Sequence, residues 1–221
     1  MDFSFPYRLR VETISIGALS LELECLENLE QTIDAFFSEY EKTGEEALFE
    51  DLCPYFGVPW PAGVALAKLV YEERERFRGK RVLELGCGLA IPSLVLGSCR
   101  ISVTATDLHP DVPVFLARNC SRNKIGSLQF QNIDWRVPGE ERWDIILASD
   151  VLYDKLQPAA LLSFLNCQLA DGGSILLADP GRPYWESFVK TMRLSGWSCA
   201  EELRDSVFFL RTTRASARLA P

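Results

Sequence analysis

Two short runs near the start of the chain alternate apolar and polar residues: Arg8-Leu9-Arg10-Val11-Glu12-Thr13-Ile14 and Leu19-Ser20-Leu21-Glu22-Leu23-Glu24, with Gly17 between them. A period of two marks a strand with one buried face, so this stretch predicts a β-hairpin. The period then changes. Leu29, Ile33, Phe36, Phe37 and Tyr40 recur at helical spacing between Asn28 and Lys42, with Gly44 as a stop signal. Asp51 to Pro61 carries three prolines and three aromatics in eleven residues, too irregular for either element. A helix is predicted from Ala62 to Phe77.

Beyond residue 80 short apolar runs and helical segments take turns. Strands are predicted at Arg81–Leu85, Ser102–Asp107, Leu128–Ile133, Trp143–Ala148 and Ser174–Ala178. Helices are predicted from Ala90, from His109-Pro110 to about Asn123, from Gln157 to Leu169 and from Pro183, where Trp185, Phe188, Val189 and Met192 share one side. Trp143 to Ala148 is apolar almost without alternation, as expected of a strand covered on both faces. Gly172-Gly173 reads as the turn into the fifth of these strands. The last two strands, Trp197–Leu203 and Val207–Thr212, are joined only by Arg204-Asp205-Ser206, a link so tight that they must run antiparallel. The expectation is an α/β fold: a mostly parallel sheet with helices on both faces, its last strand antiparallel, preceded by the hairpin and helix. The expected organisation is an N-terminal addition at 1–54, a main domain at 55–214 and a tail at 215–221. The addition is expected to be a lid or substrate platform, or a cover for an exposed sheet edge.

With 221 residues and 48% hydrophobic content, the chain can bury one sizeable core and is short for two. Its net charge of −8 argues against a general nucleic-acid binder, which needs a basic face. The start has no basic and apolar leader and no run long enough to span a bilayer, so a cytoplasmic, membrane-free protein is expected, most simply a monomer. Seven cysteines form no Cys-x-x-Cys pair and there is a single histidine, His109, so no metal site is expected. The thiols are expected reduced and mostly buried.

The candidate chemistry gathers at the ends of the strands. Glu84-Leu85-Gly86-Cys87-Gly88 ends a strand in two glycines one residue apart, where a ligand can approach the backbone and the next helix points free N–H groups. Glu84 would repel a pyrophosphate and suits a ligand carrying an amine. The third glycine of a dinucleotide fingerprint is missing at Ile91. About twenty residues on, Asp107 ends the second strand, where a carboxylate can accept both hydroxyls of a ribose. Asp134, Ser149, Asp150 and Asp179 fall at the ends of later strands.

These residues resemble a known family. Glu84 to Gly88, Asp107, Asn132-Ile133-Asp134-Trp135 and Ala148-Ser149-Asp150-Val151-Leu152-Tyr153 are similar to the seven-β-strand S-adenosylmethionine methyltransferases. More narrowly they resemble the protein-lysine branch, marked by an acidic residue, two others and then Tyr or Phe after the fourth strand. Asp179-Pro180-Gly181-Arg182 and the stretch through Trp60-Pro61 look most like members that methylate the electron-transfer flavoprotein β-subunit. The resemblance covers roughly residues 55–210, and the family's usual third glycine is Ala90 here. It implies a Rossmann-like sheet, S-adenosyl-L-methionine as cofactor and a lysine-bearing protein substrate.

The resemblance implies a cofactor site of Trp60 as a wall, Glu84, Gly86, Cys87, Gly88, Asp107, Asp134, Trp135 and Ser149. Glu84 faces the methionine amino group or reinforces the loop, and Asp107 holds the ribose. Asp134 can accept the adenine amino group while Trp135 stacks on the ring. Asp150 orients the incoming amine with Tyr153 beside it. Asp179 and Arg182 hold the substrate segment, or pair with each other and shape their loop. Other readings are a nicotinamide dehydrogenase, a nucleic-acid methyltransferase, a small-molecule amine methyltransferase on the same scaffold, and a cofactor-binding protein without catalysis. The first lacks its glycine at Ile91, and the second usually carries Pro-Pro and an aromatic where this chain has Val151-Leu152-Tyr153.

Overall fold

The computed structural model describes residues 6–40, 52–137 and 139–214. The hairpin forms as predicted, β1 (Leu9–Ile16) pairing antiparallel with β2 (Leu19–Leu26), and its turn lies against the Tyr71 ring. Then α1 (Leu29–Tyr40) begins where the Asn28 side chain accepts the Gln31 N–H at 2.9 Å. The predicted end of this helix at Lys42 and its stop at Gly44 lie outside the described residues. Residues 52–60 hold a single 3-10 turn at Tyr55–Gly57, in line with their prolines.

Pro61 opens α2 (Pro61–Glu72), which stops well short of the predicted Phe77. Glu73 leaves helical geometry and a tighter 3-10 turn, Arg74–Phe77, carries Phe77 into the core. The strict alternation follows: β3 (Val82–Leu85), α3 (Ile91–Ser98), β4 (Thr104–Asp107), α4 (Val112–Arg122), β5 (Gln129–Asn132), β6 (Trp143–Ser149), α5 (Gln157–Gln168), β7 (Leu169–Asp179), α6 (Trp185–Leu194), β8 (Trp197–Arg204) and β9 (Val207–Arg214). Two later boundaries also differ from expectation. Gly172-Gly173 is no clean turn, because β7 already starts at Leu169 and the register against β6 shifts between Trp143 and Ile145, so the glycines form an irregularity inside the strand. Pro183 precedes α6 instead of opening it, in a turn that Trp185 N closes onto the Arg182 carbonyl at 3.0 Å.

The seven strands take the order β5-β4-β3-β6-β7-β9-β8, and β9 runs against both neighbours. Chain order reverses direction between β3 and β6, so a crevice is expected there beyond the carboxyl ends of the strands. Alternate strand residues feed two apolar layers. Ile145 and Leu147 of β6 face α2, α3 and α4, while Ile146 and Ala148 face α5 and α6. Ile16, Leu21, Leu23, Cys25 and Leu26 of the hairpin join the first layer, so the N-terminal addition shares the main core. It docks on α2 and α4, whereas the free edges of the sheet are β5 and β8; the hairpin is therefore not an edge cover. All seven cysteines are free thiols, four of them buried. Among the described residues no helix is long and apolar enough to cross a membrane, and no cluster of metal-ligating side chains occurs.

Candidate functional site

β3 delivers the glycine turn. Gly86 (φ +59°) and Gly88 (φ +51°) both sit in left-handed backbone, where a side chain is strained. Ala90, in the place of the third glycine, takes the same conformation at φ 55°. The buried Cys87 N–H reaches back to the Thr106 carbonyl at 2.8 Å, which ties the turn to β4. Burial pushes the Cys87 thiol far up, with Asp107 and Glu84 adding to it, so this sulfur is a poor nucleophile.

Glu84 is sealed in behind this turn. Its Oε2 accepts the Ser93 backbone N–H at 2.8 Å and also the Ser93 hydroxyl, so the carboxyl meets the first turn of α3. Burial pushes its pKa up to about 8 against the opposing bonds from Ser93. Loop reinforcement, one of the two roles weighed for Glu84, is thus its observed contact. Asp107, at the end of β4, accepts the Gly88 N–H through Oδ2 (2.9 Å) and the His109 N–H through Oδ1 (3.0 Å). Burial raises its pKa too. Each oxygen keeps a second lone pair for a ligand. His109 is structural: Nδ1 accepts the Asp111 N–H, so the proton sits on Nε2 and faces the Leu52 carbonyl at 3.0 Å. That contact anchors the irregular stretch beside the glycine turn.

Trp135 and Asp134 part company. The Trp135 indole lies over Gly86, where a Cβ would come within 3.1 Å of the ring, and its N–H donates to Gln157 at 2.6 Å. The Asp134 carboxylate is engaged by the Arg136 guanidinium at 2.8 Å, whose hydrogen bond holds it below the usual range. Trp60 stands at the start of α2 with its indole N–H on the Tyr55 carbonyl at 2.8 Å. The same helix brings Gly63 beside the Ser149 hydroxyl, 3.4 Å from where a Cβ would be.

The third group lies where β6 and β7 end. Asp150 is itself left-handed (φ 59°), and its N–H donates to the Ala178 carbonyl at 2.9 Å, lashing this loop to β7. Arg182 Nε donates to Asp150 Oδ1 at 2.5 Å. Asp179 Oδ1 accepts the N–H groups of Gly181 (2.8 Å) and Arg182 (2.7 Å), while its Oδ2 is buried without a partner among the described residues. Asp179 shapes the loop through backbone bonds, and the Arg182 guanidinium crosses to Asp150. Tyr153 is more than half exposed at the rim and close enough to act on Arg182. Val151 comes within 3.2 Å of a Cβ at Gly86, so this loop abuts the glycine turn.

The carboxyl ends of β3, β4, β5, β6 and β7 thus bring together Glu84, the glycine turn, Asp107, Trp135, Asp150, Tyr153, Asp179 and Arg182. Partners that the motifs did not reveal are Ser93, Gln157 and the Arg182 pairing. A separate cleft lined by Glu73, Phe77, Ile145, Ser174 and Arg211 opens at the other end of the strands, and none of the predicted residues lines it.

Comparison with known proteins agrees with this geometry. The sequence profile of a family described as lysine methyltransferase matches residues 55–193. Curated relatives include the electron transfer flavoprotein beta subunit lysine methyltransferase of Danio rerio, 33% identical over 138 residues, covering 60% of this chain and 52% of that protein. The Homo sapiens counterpart is 32% identical over 136 residues, covering 59% and 50%. A histone-arginine methyltransferase of Rattus norvegicus is 26% identical over 147 residues, covering 63% and 61%. The chain spans about half the length of the first of these relatives. Among solved structures, a T. Thermophilus 16S rRNA methyltransferase in complex with AdoMet and guanosine superposes with a TM-score of 0.65 at 17% identity, over 95% of this chain and 52% of that one. A ribosomal-protein methylase from Lactobacillus delbrueckii subsp. bulgaricus gives 0.60 at 16%, over 71% and 80%. At such identities these two establish the shared fold.

Proposed function

The chain belongs to the lysine methyltransferase family, and from that premise we propose that it transfers a methyl group from S-adenosyl-L-methionine to the side-chain amine of a lysine in a protein. The observation that carries the reading is Asp150: a carboxylate at the end of β6, one oxygen held by Arg182 and the other without a donor among the described residues, on a loop that abuts the glycine turn. The residues present fit the cofactor. A left-handed glycine turn admits a ligand to the backbone, and the Asp107 carboxylate beside it, each oxygen holding one backbone N–H and keeping a second lone pair, suits a ribose diol. Trp135 supplies an aromatic face beside the turn.

S-adenosyl-L-methionine, when bound, supplies a methyl group on a sulfonium for in-line displacement. The chain has to align the nucleophile and exclude water. A lysine with a pKa of about 10.4 is neutral only about one part in two or three thousand at pH 7, a handicap of roughly 4–5 kcal/mol. Asp150 Oδ2 accepts an N–H of the amine and directs its lone pair; Tyr153 lends its ring to the apolar stem and to the methyl groups. Asp179 keeps the loop that carries Arg182 in shape.

The test uses methyl-labelled cofactor with the electron transfer flavoprotein β subunit, the substrate named for the relatives. Wild type should label a lysine of that protein. Asp150→Asn should bind cofactor normally, since Asn tolerates left-handed backbone, and lose roughly 10²-fold or more in turnover. Label on arginine, label confined to small molecules, or bound cofactor without any transfer would each replace the lysine reading.

A further inference from the structure

Asp150 faces two opposed demands. It must accept a hydrogen bond from the incoming amine, yet an unpaired carboxylate favours the ammonium, which has no lone pair to give. A unit charge about 4 Å away moves an amine pKa by on the order of one to three units, depending on screening by water. An isolated Asp150 would therefore deepen the handicap that lysine already carries.

The chain places a counter-charge on that carboxylate. Arg182 Nε donates to Oδ1 at 2.5 Å, the Asp150 side chain is 8% exposed and the Arg182 side chain 32%, so water screens the pair only in part. Oδ2 stays available. Arginine cannot lose its charge in a protein, and the bond to Asp150 moves its pKa further up. The other ionisable groups acting on Arg182 are Tyr153 and Asp179. Asp179 is turned into its own loop, with Oδ1 on two backbone N–H groups. Neighbouring elements add little: the start of α2 at Gly63, beside Ser149, brings the partial positive charge of a helix N-terminus, and Phe208 of β9, under Gly181, brings none.

We propose that Arg182 neutralises Asp150 so that the substrate lysine is held as the free amine instead of the ammonium. The inference rests on the lysine-methylation reading above and assigns Arg182 the part of a positioning residue that sets the charge of the site. It also gives a reason for the aim of the side chain at Asp150 when Asp179 is the nearer carboxylate in sequence.

Single-turnover transfer to the electron transfer flavoprotein β subunit, followed from about pH 6.5 to 10, tests it with Arg182→Gln and Arg182→Lys. The acidic limb of Arg182→Gln should move up by about one unit or more, so the rate falls at least about tenfold at pH 7 and recovers at high pH. Arg182→Lys keeps the charge and should return the limb toward the wild-type position. A rate loss of equal size at every pH, with the limb unmoved, is what a displaced loop gives and overturns the proposal. A second measurement needs no turnover. At pH 7 n-butylammonium should bind Arg182→Gln about tenfold more tightly than wild type, and the added Asp150→Asn change should abolish that gain. Equal affinity for wild type and Arg182→Gln, including no binding to either, overturns the proposal. Should wild type methylate no protein, the lysine reading fails while the butylammonium comparison still decides the charge balance.

Discussion

Asn119 in the last turn of α4 and Asn123 at the C-cap just beyond it each close a pair of hydrogen bonds with the backbone of β2. Asn119 Oδ1 accepts the Glu24 N–H at 2.7 Å and its amide donates to the Glu24 carbonyl at 3.3 Å. Asn123 does the same with Glu22, at 2.8 and 2.7 Å. Four residues of helix rise about 6 Å and two residues of strand about 6.8 Å, so the two spacings match. The helix face takes the place of a neighbouring strand, meeting backbone groups that an edge would leave to water.

Asn119 is fully buried, so Asn119→Ala strands the Glu24 N–H and carbonyl where water enters poorly. The expected cost is about 2–4 kcal/mol, a fall in Tm of roughly 4–16 °C. Asn123 makes its bonds to Glu22 in an exposed setting, and Asn123→Ala should cost about 1 kcal/mol. Thermal unfolding of the two variants checks the ordering, and equal losses would mean that the asparagines do not carry the docking of the hairpin.

Gly88 meets two constraints at once, positive φ and the Phe56 carbonyl oxygen 3.0 Å from where a Cβ would stand. That oxygen is backbone, fixed in the stretch that His109 anchors, so it cannot swing aside. Gly88→Ala should cost about 2–3 kcal/mol and lower cofactor affinity more than tenfold, because the turn itself has to move. Gly172→Ala is the control: φ is +71° but the space is open, and only the conformational cost of about 1 kcal/mol remains. Comparable losses at the two sites, by denaturant unfolding, would remove the steric half of the argument.

The strand ends were legible because each combines an apolar run with a glycine or an acid directly after it, and the parallel order follows from the intervening helices. That pattern places Gly86, Asp107, Asp150 and Asp179 at one end of the sheet without any knowledge of contacts. Partner choice was not legible. Arg182 lies 32 residues from Asp150, and nothing local prefers that carboxylate over Asp179, three residues away. Ser93 looks like an ordinary helix residue until Glu84 is seen beneath it. The asparagine pair shows helical spacing, but β2, which gives it meaning, is about a hundred residues distant in sequence. The break at Glu73 is a tertiary effect: the helical pattern continues to Phe77, and the burial of Phe77 with the Arg211–Glu73 ion pair favours a tighter turn.

Glu84 makes the stability of the fold depend on pH in a way a surface carboxylate would not. It is 2% exposed and its pKa is pushed from 4.5 to about 8 by burial, with Ser93 opposing. The unfolded chain releases this proton near pH 4.5 while the folded chain keeps it, so between those values the folded state binds the extra proton. Stability is then greatest below about pH 4.5 as far as this group is concerned, falls as pH rises and levels off above about pH 8, the whole change being on the order of 5 kcal/mol or less. Asp107 and Asp179, also raised by burial, tilt the same way over narrower ranges. Glu84→Gln retains an acceptor for the Ser93 N–H and hydroxyl but has no proton to lose. Its urea midpoint should change less between pH 5 and 8 than that of wild type, and should exceed it at pH 8. A wild-type slope preserved in Glu84→Gln would place the titration on another carboxyl, with Asp107 the next to substitute.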